Sequence, residues 1–67
     1  MWREELDRVR TAMAELPSDK QAAIILVRIE GYSIREAAAM LGVPVGTLKS
    51  RLHHAHRRLM ERLEEGQ

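Results

Sequence analysis

YSIREAAAMLGVPVGTLKSRLHHAHRRLMERL, residues 32–63, is the stretch that decides the fold. Ser33 is followed three residues later by Glu36, the pattern of a capping box, in which each residue satisfies a free backbone N–H of the other at a helix start. Gly42 ends that helix, because glycine enters the left-handed conformation without a Cβ clash. Val43-Pro44-Val45-Gly46 turns the chain, and Pro44 has no N–H with which to continue the first helix. A longer helix then begins near Val45. The spacing predicts helices over 34–41 and 45–64, joined as a helix-turn-helix over 33–63.

The longer helix carries an apolar seam, Leu48, Leu52, Ala55, Leu59 and Leu63, in steps of four, three, four and four. With that seam inward, the outward side holds Gly46, Thr47, Ser50, His53, His54, Arg57 and Arg58, flanked by Lys49 and Arg51. A B-form major groove admits one α-helix, and the N-terminal turns of that helix meet the base edges. Gly46 and Thr47 are small enough for close approach to a phosphate, and the free N–H groups of a helix N-terminus attract one. Ser50 suits a base or a phosphate. Lys49 and Arg51 suit phosphates on either side of the groove. His53 and His54 suit bases, by hydrogen bonding or stacking.

Upstream, Trp2, Leu6, Val9, Met13 and Leu16 recur on one helical face, which predicts a packing helix over 2–16. Pro17 breaks it. Ser18 with Gln21 forms a second capping-box pattern, and a helix is predicted over 19–30, ended by Gly31. Its stretch 22–27, AAIILV, is apolar nearly all round, so it is core on several sides or leaves one face for a partner. On the predicted third helix, Ile34, Ala37, Ala38 and Leu41 form the inner face, and its small alanines allow a close helix crossing. The expected architecture is all-α: one small four-helix domain with a C-terminal helix-turn-helix and no sheet. Gly66-Gln67 reads as a frayed end or a truncation point.

The totals narrow the function. A chain of 67 residues holds one domain with a small core. It has 45% hydrophobic and 31% charged residues, a globular rather than a disordered composition. The absence of cysteine rules out disulfides and thiolate metal sites and is compatible with a reducing cytoplasm. The apolar runs are too short to span a bilayer, and the N-terminus has no signal-peptide pattern. The net charge of +1 argues for nothing, but its distribution does. From Val45 to Met60 there are Lys49, Arg51, Arg57 and Arg58 and no acid, a stripe suited to a polyanion.

Catalysis and cofactors find no support. There is no glycine-rich phosphate loop, and the serines and threonines are explained by caps or by the groove face. His53, His54 and His56 lack i, i+4 pairing and further ligands for a metal, and His56 lies nearer the seam, where a half-buried packing role is expected.

These residues resemble a known family. LP-x-x-x-Q at 16–21, EGYSIREAAAMLGVPVGTLKSRLHHAHRRL at 30–59, and above all GVPVGTLKSRL resemble region four of bacterial sigma factors, most closely the extracytoplasmic-function (ECF) type. The resemblance covers nearly the whole chain. It implies a four-helix unit that reads the minus-thirty-five element of promoter DNA and holds the flap tip of the RNA polymerase β subunit, on surfaces that an anti-sigma factor also covers. By position it assigns Thr47, Lys49, Ser50, Arg51, His53 and His54 to the promoter. Ala22, Ile25, Leu26 and Ile29 would then face the flap or an anti-sigma factor. His54 stands where the family usually has arginine, and His56 where it often does. Arg28 and Arg35 are the nearest candidates for supporting the DNA backbone from outside the last helix. The family's other domain, which reads the minus-ten element, is not in this sequence, so the chain is expected to be an excised domain that does not start transcription alone. A sigma-like module that sequesters an anti-sigma factor with little DNA binding is the alternative, and the basic face with Lys49 and Arg51 weighs against it. A response-regulator DNA-binding domain is a further alternative, which the KSRLHHAHRRL continuation disfavours.

Overall fold

The computed structural model describes residues 2–65. Helix α1 spans Trp2–Ala14 and α2 spans Ser18–Ile24, which runs directly into a π-helical segment, Ile25–Ile29. Helix α3 spans Ile34–Leu41 and α4 spans Val45–Glu65, and no strand occurs among the described residues. Helix α4 is the axis of the molecule, with α2 and α3 packed on its first half and α1 crossing its second half.

Two locally coded devices set the α3–α4 unit. Ser33 Oγ accepts the Glu36 N–H and Glu36 Oε1 accepts the Ser33 N–H, each at 3.0 Å, a complete capping box. These hydrogen bonds, led by the Ser33 backbone N–H, hold the Glu36 carboxyl below the usual range. A carboxyl depressed on folding contributes stability that is fully present above its unfolded value of about 4.3 and is lost as pH falls through the folded value. Ser33→Ala deletes the Oγ that accepts the Glu36 N–H and is expected to cost about 1 kcal/mol, as the loss of an N-cap side chain does. The Ser33 backbone N–H survives that substitution, so the pH dependence is read with Glu36→Gln: in acid melts the gap between wild type and Glu36→Gln should narrow as pH falls through the folded value. At the other end Gly42 sits at φ 68° and ψ 35°. Its N–H donates to the Ala39 carbonyl at 3.2 Å, and the Val43 N–H donates to that of Ala38 at 3.0 Å, which closes the helix with a Schellman motif.

The core consists of Leu16, Ala23, Ile24, Ala37, Ala38, Leu48, Leu52 and Ala55. Ala37 and Ala55 are fully enclosed, as is Leu48, the largest side chain to be so. Leu59 is half-buried against this cluster. Alanines let α3 approach α4 closely and leave Leu48 to fill the space between the helices.

Four expectations are corrected. Helix α1 ends at Ala14, not Leu16, because the residue before a proline is pushed out of the helical region. On α1 and just after it the buried residues are Ala12 and Leu16, while Leu6 and Val9 are 43% and 40% exposed, since only the C-terminal half of α1 lies on the core. The Trp2 side chain, expected on the same face, and Gly66-Gln67, expected as a frayed end or truncation point, lie outside the description. Ser18 is the first residue of α2, not its cap. The extended Pro17 takes the cap position, its carbonyl accepting the Lys20 and Gln21 N–H groups at 3.1 and 2.9 Å. This one-residue shift removes the partner Gln21 would have had, and its Nε2 donates instead to the Met13 carbonyl at 3.3 Å, tying α1 to α2. Finally, the second helix is not α-helical throughout. From Ile25 it widens, with the Glu30 N–H reaching the Ile25 carbonyl at 2.8 Å, and Gly31 at φ 86° ends it.

Candidate nucleic-acid interface

Helix α4 starts with the Leu48 N–H donating to the Pro44 carbonyl at 3.1 Å, and its first turn buries Leu48 while Gly46 stays exposed. Gly46 is exposed, and nothing lies within 4 Å of where a Cβ would stand. Thr47 is half-buried beside it. Lys49, Ser50, His53, His54, Arg57 and Arg58 are all exposed. The His53 and His54 rings meet edge to face, with centroids 5.7 Å apart. Burial of Leu48, Leu52 and Ala55 on the opposite side orients this surface. His56, expected to pack half-buried, is exposed: it lies a full helical step to one side of the seam, where no helix covers it.

The surface has two flanks. On one, Lys49, His53 and His56 share a groove with Arg28 from the π segment, floored by Ile34 and Leu52. No acid lines it. On the other, His54, Arg57 and Arg58 face Lys20, with Glu15 and Glu61 beyond. Arg51 lies on this second flank, half-buried, its Nε 3.5 Å from Asp19 Oδ2. Charge counted along α4 alone misses Asp19, which the fold brings to the basic stripe from the first turn of α2. Nothing local in the sequence marks Asp19 as a partner of Arg51, 32 residues away.

The end of the basic stripe is clamped. Arg62 makes a bidentate ion pair with Glu15, Nε to Oε1 at 2.6 Å and Nη2 to Oε2 at 2.9 Å, which raises the Arg62 pKa. Arg8 Nη2 donates to the Leu63 carbonyl at 2.7 Å. Both contacts hold α1 against the last turns of α4, where Glu61, Glu64 and Glu65 gather, and leave the outward face of its first half uncovered by α1.

The apolar residues assigned to a protein partner are spread in depth. Ala22, Ile25 and Leu26 are half-buried, and Ile25 and Leu26 pack against the core. Ile29 is 66% exposed at the end of the π segment, and Tyr32 follows at 39%. Among the described residues no group of three or more His, Cys, Asp or Glu side chains is placed to hold a metal ion. Among the same residues no helix is long and apolar enough to cross a membrane.

A short capped helix, a glycine turn and a long helix with an open basic face define a helix-turn-helix domain. The family described as "Sigma-70, region 4" matches residues 6–59. The ECF RNA polymerase sigma factor EcfG of Rhodopseudomonas palustris is 44% identical over 55 residues, covering 82% of this chain and 30% of that protein. The ECF sigma factor SigM of Mycobacterium tuberculosis is 47% identical over 51 residues, covering 76% of this chain and 26% of that protein. Among solved structures, the sigma factor RpoE of Bartonella quintana, in complex with the anti-sigma factor NepR, superposes with a TM-score of 0.81 at 41% identity, covering 84% of this chain and 35% of that one. The chain belongs to the region 4 family of ECF sigma factors of the sigma-70 class. It spans only about a quarter to a third of the length of these relatives.

Proposed function

We propose that this domain binds the minus-thirty-five element of promoter DNA, as the region 4 part of a sigma factor that directs RNA polymerase in the cytoplasm. The observation that carries this reading is the open face Gly46, Thr47, Lys49, Ser50, His53 and His54 on the first turns of α4, a helix whose own first sixteen residues contain no acid. Bases would be read by Ser50, His53 and His54, and phosphates neutralised by Lys49, Arg51, Arg57 and Arg58. The exposed Ile29, with Ala22, Ile25 and Leu26 behind it, would meet the β flap tip or an anti-sigma factor.

The test is competition between a short duplex carrying a minus-thirty-five-like element and a scrambled duplex, at several salt concentrations. A preference for the first, with affinity falling steeply as salt rises, is the expected result. Weak binding without preference would favour the second reading, a module that sequesters an anti-sigma factor; that reading draws support from the complex in which the RpoE relative was solved.

A further inference from the structure

We propose that Asp19 is a positioning residue for DNA discrimination, holding Arg51 in a neutralised, fixed pose that withholds it from random phosphates and presents it to a correctly seated duplex. The inference rests on the DNA-reading function above and adds to it a residue outside the helix-turn-helix.

Asp19 is itself fixed. Its Oδ1 accepts the Lys20 N–H at 2.9 Å, which leaves Oδ2 to face the Arg51 Nε at 3.5 Å. The Arg51 side chain is 28% exposed and that of Asp19 is 46% exposed, so the pair sits at the margin of the basic face. Among the described residues no hydrogen bond occupies the terminal nitrogens of Arg51, and a guanidinium has donors to spare. The other nearby acids stand apart from this role: Glu15 is taken by Arg62, and Glu61 lies far along α4, beyond the basic stripe. Among the described residues Asp19 is therefore the one carboxylate paired with a cation of the first turns of α4.

The physics distinguishes two kinds of complex. Sequence-blind binding is the sum of cations that reach phosphates in many poses. A cation tethered to a protein carboxylate contributes little to that sum. A specific complex has one pose, and there a pre-oriented guanidinium edge makes its contact without losing side-chain freedom. Asp19 thus lowers affinity for wrong DNA more than for right DNA.

The experiment measures the affinity of the 67-residue chain for target and scrambled duplexes, with Asp19→Asn, Asp19→Glu and Arg51→Gln variants beside wild type. Asp19→Asn is expected to raise affinity for the scrambled duplex roughly three- to tenfold, to steepen its salt slope by about one unit, and to change target affinity less than about twofold. Asp19→Glu restores the wild-type ratio, and on an Arg51→Gln background Asp19→Asn raises affinity for both duplexes alike and leaves their ratio unchanged. Arg51→Gln alone lowers target affinity several-fold and scrambled affinity less than about twofold, which tests the pair without touching α2. An equal change on both duplexes for either variant overturns the inference while leaving the DNA reading intact. A wild-type chain with no preference between duplexes overturns both.

Discussion

Leu48→Ala is expected to remove the cooperative thermal transition or to lower its midpoint by roughly 15–25 °C. Leu48 is 0% exposed, the one large side chain wholly enclosed among the described residues, in a core cluster half of whose members are alanines. Alanines cannot swing into the space a deleted isobutyl group leaves, so a cavity is expected there and the cost falls in the upper part of the roughly 2–5 kcal/mol range for such truncations. A domain of this length has little stability in reserve. Leu59→Ala, at a half-buried position on the rim of the same cluster, should cost about half as much. Thermal melts followed by circular dichroism measure both. A shift of only a few degrees for Leu48→Ala would place the weight of the core elsewhere.

The second large effect is on DNA. Lys49→Ala combined with Arg51→Ala is expected to lower affinity for the target duplex roughly a hundredfold at moderate salt, about tenfold for each phosphate that is no longer neutralised. The salt slope should flatten by about two units. Removal of Arg51 also leaves the Asp19 carboxylate unpaired beside the groove face, where it repels the duplex. The core does not include either side chain, so the melting transition should be unchanged. Any binding of an anti-sigma factor through the proposed Ile29 surface should persist. Loss of both activities together would show that the double variant damages the fold.

The elements most legible in the sequence were those governed by neighbours a few residues apart. Ser33 and Glu36, Gly42, and the seam through Leu48, Leu52 and Ala55 each act within one or two helical turns, and the structure uses each of them. What the sequence did not show depends on distant parts of the chain. Ser18 and Gln21 have the spacing of a cap, yet Pro17 occupies that position, and Gln21 finds its acceptor on α1. Leu6 and Val9 carry helical periodicity, but α1 meets α4 only through its second half. The π widening at Ile25 has no signature in a run of aliphatic residues. On the candidate interface, the outward position of Gly46, Lys49, Ser50, His53 and His54 follows from the seam alone, whereas the pairing of Arg51 with Asp19 required the packing of α2 on α4.

The most direct test of the central claim is residue-level mapping of backbone amide shifts by NMR as a minus-thirty-five-like duplex is added. The account predicts that the largest changes fall on Gly46, Thr47, Lys49, Ser50, His53 and His54, with smaller ones at Asp19 and Arg28, and that α1 from Arg3 to Val9 stays unperturbed. Changes confined to residues 22–32, or spread evenly over the chain without regard to duplex sequence, would contradict a DNA-reading role for the open face of α4.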